Sequence, residues 1–71
     1  MINVTGCQIH DGGTRRVWFF NDNSQVVELM DVPLKLRLKF YNASNNTIRT
    51  KDVQAEMKRA IERFKKLRGI K

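Results

Sequence analysis

One amphipathic helix at the C-terminal end, with no second helix to pack against, sets the strongest limit on what this chain can become. Val53, Met57, Ala60, Ile61, Phe64 and Leu67 recur at helical spacing, which places them on one apolar stripe. Thr50 is a suitable N-cap and Asp52 suits the first turn. Lys65, Lys66 and Arg68 crowd the last turn, and Gly69 can close it. A helix is therefore expected over residues 51–68. Its stripe has to be buried on another layer, and everything before it reads as strands and turns.

The strands are expected at about 2–9, 15–20, 25–30 and 34–41. His10-Asp11-Gly12-Gly13 and Asn21-Asp22-Asn23-Ser24 separate the first three. Both segments hold residues that accept left-handed or locally bonded backbone. In residues 34–41, Leu34, Leu36, Leu38 and Phe40 alternate with Lys35, Arg37, Lys39 and Tyr41. Period 2 describes a half-buried strand. The competing reading is a short helix begun by Pro33. It would scatter the same apolar residues over two nearly opposite sides, so the strand is preferred. The expected fold class is α+β: a small two-layer domain, 1–71, with a three- to four-stranded antiparallel sheet followed by one amphipathic helix, in the order β-β-β-β-α.

A chain of 71 residues forms one domain with a thin core. Cys7 is the only cysteine, so no disulfide can staple the monomer, and with His10 it cannot complete a tetrahedral zinc site. No metal or other cofactor is expected. No apolar run is long enough to span a membrane, and residues 1–13 lack the pattern of a signal peptide, which with a lone thiol points to the cytoplasm. Adjacent His10 and Asp11 diverge on a turn and make a poor acid–base pair. Gly12-Gly13 is too short to cradle a phosphate. The expectation is a non-enzymatic binding module.

Charge suggests the partner. The chain carries +7 overall. Residues 1–32 hold Arg15 and Arg16 against Asp11, Asp22, Glu28 and Asp31, a net −2, whereas residues 33–71 hold twelve cations against Asp52, Glu56 and Glu62, a net +9. A basic surface of this kind suits a polyanion. With Val17, Phe19, Val27, Leu29 and the even-numbered residues of 34–40 turned to the helix, alternation sends Arg16, Trp18, Phe20, Val26, Glu28 and Met30 to the open face. Lys35, Arg37, Lys39 and Tyr41 join them there. Trp18, Phe20 and Tyr41 would stack bases, and Arg16, Lys35, Arg37 and Lys39 would track phosphates of single-stranded DNA or RNA. The tail Lys65–Lys71, through Lys65, Lys66 and Arg68, would add phosphate contacts. The cationic band of Lys58, Arg59, Arg63, Lys65 and Lys66 reads mainly as a solvated helix face. The alternative function is a protein-binding regulator or inhibitor of the phage-encoded kind. It would use Trp18, Phe20, Val26 and Met30 for homodimerisation or capture of a host protein.

Two families offer resemblances. Short strands leading into Val32-Pro33, followed by Asn42-Ala43-Ser44 and Ile48-Arg49, resemble the KTSC domain family, which implies a helix after the Val-Pro pair. The glycine and aromatic pair of that family do not follow Ser44. The β-β-β-β-α order is similar in architecture to single-stranded-DNA-binding transcriptional coactivators, which implies a nucleic-acid partner.

Overall fold

The computed structural model describes residues 2–69; Ile70 and Lys71, the end of the basic tail, lie outside them. Four strands, β1 (Val4–His10), β2 (Arg15–Phe20), β3 (Gln25–Leu29) and β4 (Leu38–Tyr41), precede one helix, α1 (Lys51–Arg68). The strands form one antiparallel sheet in sequential order, β1-β2-β3-β4. The domain is α+β, with the helix laid on one sheet face.

Turn chemistry accounts for the meander. Asp11, Gly12 and Gly13 all take positive φ, at 53°, 68° and 102°, a run in which glycine is favoured because a Cβ is disfavoured there. Asn23 supplies the positive φ of the next turn, at 67°. That turn is held by Asp22, whose carboxylate accepts from the Ser24 hydroxyl and from the Ser24 N–H. Burial pushes the Asp22 pKa up, but these bonds outweigh it and hold the carboxyl below its ordinary value. At the far end, Gly69 takes φ 69° and donates its N–H to the carbonyls of Lys65 and Lys66, closing α1 as its sequence requires. Thr50 occupies the N-cap position with extended backbone, but its side chain makes no capping hydrogen bond.

The alternating segment 34–41 divides in two. Leu34–Leu36 form a 3-10 turn after Pro33, closed by Leu36 N–H to Pro33 O and Arg37 N–H to Leu34 O. Only Leu38–Tyr41 are strand. A ladder needs a partner of equal length, and β3 offers five residues, the last of which, Leu29, donates to Arg37 O. The chain must also reverse between β3 and β4, and residues 30–36 make that reversal. Leu34 and Leu36 are consequently exposed.

The two sheet faces are the reverse of the expected assignment for β2 and β3. Trp18, Phe20, Val26 and Phe40 are buried with Met57, Ala60 and Ile61 of α1, and Val4, Cys7, Leu38, Ile48, Val53 and Phe64 pack around them. Register enforces the correction. Phe40 pairs with Val26 and Val26 with Trp18, so all three share the helix face. Val17, Phe19, Val27 and Leu29 take the open face instead, with Lys39 and Tyr41. β2 is apolar on both sides, so its own pattern cannot orient it. Facing the helix with Trp18 and Phe20 removes the larger apolar area from water.

Trp18 is fully buried, and truncating it leaves a large void in a thin core. Trp18→Ala is expected to cost about 3–5 kcal/mol in urea unfolding, whereas Leu67→Ala, at 86% exposure, should stay within about 0.5 kcal/mol.

Candidate nucleic-acid interface

The residues expected to bind nucleic acid fall into three groups. The first is consumed by the core. The Trp18 ring meets Phe64 edge-on, at 5.9 Å between centroids and 81° between planes. Its Nε1 donates to Glu28 Oε1 at 3.3 Å. The Arg16 guanidinium stands 5.6 Å and the Lys65 ammonium 5.5 Å from the ring centroid, distances at which a cation is attracted to the ring face. Arg16 also pairs with Glu28 at 3.9 Å. Trp18 and Phe20 are therefore not an exposed stacking platform, and Trp18, Phe20 and Val26 are not a free dimer surface, because α1 covers them.

The second group is spent locally or stands apart. Arg37 folds back, its Nη2 donating to Val32 O at 3.3 Å. Lys66 and Arg68 are exposed at the end of α1, with Arg68 lying 5.3 Å from the Phe64 ring centroid.

The third group comes together. Lys35, Lys39 and Tyr41 line an open groove of about 580 Å³ along the outer edge of β4. Its other walls come from the 3-10 turn, the segment before α1 and the first half of α1, including Thr47, Gln54 and Lys58. No acidic residue lines it. Gln54 is positioned by donating its Nε2 to Ile48 O at 2.8 Å. The Lys58 ammonium lies 5.9 Å from the Phe40 ring centroid, within reach of a cation–π attraction. Lys58 is the groove residue that sequence reasoning assigned elsewhere, to a solvated helix face. Three lysines facing one trough repel one another and attract phosphate oxygens, while Tyr41 offers an aromatic ring beside them. Lys39 and Tyr41 belong to the open sheet face, so the groove runs into that face at β4.

Elsewhere the titratable groups are scattered. Asp11 pairs with Arg15 at 3.4 Å. Among the described residues no three His, Cys, Asp or Glu side chains gather as metal ligands, and no helix is long and apolar enough to cross a membrane. No protein-family model, curated protein or solved structure matches this chain.

Cys7 sits half-buried on β1 beside Trp18. Burial pushes its thiol above the ordinary value; the Arg16 charge opposes this, Glu28 adds to it and Lys65 opposes it. The thiolate is the nucleophile, so Cys7 in the folded protein should react with iodoacetamide at pH 8 several-fold more slowly than in the urea-unfolded chain, as read by mass spectrometry.

Proposed function

We propose that the protein binds single-stranded nucleic acid along the β4 groove, without catalysis. The observation that carries this reading is the convergence of Lys35, Lys39 and Lys58 with Tyr41 in one trough that no acid lines. The lysines take the phosphates, Tyr41 stacks a base, and Thr47 and Gln54 add hydrogen-bonding capacity. The open sheet face continues the track with Phe19, which Gln25 separates from Tyr41 in register. The overall +7 charge supplies long-range attraction to the polyanion. Lys66 and Arg68, at the far end of α1, contribute to that field and not to the groove.

The salt dependence of oligonucleotide binding tests this. Three lysine–phosphate contacts predict a log–log slope of about −2 on a single strand, at roughly −0.7 per contact. Lys58→Ala should reduce the slope by somewhat under one unit. Tyr41→Ala should weaken binding by about 1–3 kcal/mol with the slope nearly unchanged, because stacking releases no counterions. Fluorescence anisotropy with a labelled oligonucleotide reads both. If the combined Lys35→Ala, Lys39→Ala, Lys58→Ala variant bound as wild type does, the groove would be excluded and the protein-binding alternative favoured.

A further inference from the structure

The two edges of the sheet are treated differently. The β4 edge is guarded. The 3-10 turn precedes it, Lys39 lies within it, and the segment after it folds back, with Tyr41 bridging Thr47 and Ile48 N–H bonding Phe40 O at 2.9 Å. The β1 edge has none of this. Residues 1–10, which include all of β1, contain no Asp, Glu, Lys, Arg or Pro. Lysine and proline are usual guards against strand addition. β1 has only a bulge between Val4 and Gly6, which leaves Gly6–His10 in regular register.

The direction of its free groups follows from the ladder. Phe20 N–H bonds Ser24 O and Met30 N–H bonds Thr14 O, so even-numbered β2 residues turn their backbone groups to β3. Odd-numbered ones turn theirs to β1, where they meet Gly6, Gln8 and His10. The N–H and C=O of Cys7 and Ile9 therefore point away from the sheet, and among the described residues no strand pairs with that side. The Ile9 side chain, 64% exposed, stands on the same edge.

From this edge we infer that a second copy of the chain pairs along β1, antiparallel about a two-fold axis at Gln8, to make one continuous eight-stranded sheet. In that register Cys7 lies opposite the Ile9 of the other copy, and each pair exchanges two backbone hydrogen bonds. All four outward groups of each edge are satisfied. Charge selects the same surface. Each copy carries +7, and face-to-face packing of the open sheets would crowd Arg15 and Lys39 of both copies. The β1 edge lets two cationic molecules meet without apposing cations along the strand. The arrangement sets the two β4 strands at opposite ends, roughly 33 Å apart at about 4.8 Å per strand, so the basic grooves remain open.

Sedimentation equilibrium of the full chain without nucleic acid tests this. The expected mass is twice 8.3 kDa, and rising salt should strengthen association by screening repulsion, the opposite of its effect on oligonucleotide binding. Ile9→Lys places a guard on the edge and should weaken the dimer at least tenfold while circular dichroism stays unchanged. In a Cys7→Ser background, Gln8→Cys should cross-link readily under mild oxidation, because a non-hydrogen-bonded antiparallel pair holds its Cα atoms about 4.5 Å apart, within disulfide reach. A monomer at millimolar concentration would overturn the proposal. So would a dimer that Ile9→Lys leaves intact, or one in which Gln8→Cys fails to cross-link.

Discussion

The structure depends on Trp18 being held between sheet and helix. It is the largest fully buried side chain, and its neighbours come from every layer: Val26 from β3, Cys7 from β1 and Phe64 from α1. Burying an indole requires a partner for its N–H, and Glu28 supplies it. Burying Glu28 requires a cation in turn, and Arg16 answers. Lys65 approaches the ring from the helix. A chain with so thin a core gains from placing its one tryptophan where each contact also orients another element.

That arrangement divides the basic residues into two uses. Arg16, Lys65 and Arg63, whose Nη2 donates to Ile2 O, brace the helix on the sheet, and Arg37 braces the turn before β4. Among the described residues Lys35, Lys39 and Lys58 make no ion pair, and they share the β4 groove. Lys65 apart, the division follows side-chain chemistry. Guanidinium groups, with several donors in a planar fork, suit fixed contacts to carbonyls and carboxylates, whereas ammonium groups on flexible stems suit a mobile phosphate backbone.

Reading the open face as aromatic and basic assigned to it two aromatics, Trp18 and Phe20, that the structure buries under α1. Tyr41 and Lys39 lie where alternation in β4 puts them, because that strand is apolar on one side only. Trp18 and Phe20 do not, because β2 is apolar on both sides and a one-residue choice inverts it. Glu28 misled in the same way. An acid on the helix side of β3 looks unfavourable until Trp18 Nε1 and Arg16 are seen beside it. Lys58 was missed because helical periodicity marks it only as polar, and the groove forms only when α1 crosses β4.

The sequence by itself determined the fold class, the element order, the helix over residues 51–68 and the two turns between the first three strands, because periodicity and the placement of turn residues are local properties of the chain. It also determined the excess of positive charge in its second half. Only the tertiary structure decided which sheet face is covered, how much of 34–41 is strand, and which cations are free. Those outcomes rest on pairing register, on the length of the neighbouring strand and on competition for buried area, and each of these exists only between elements that the chain has brought together.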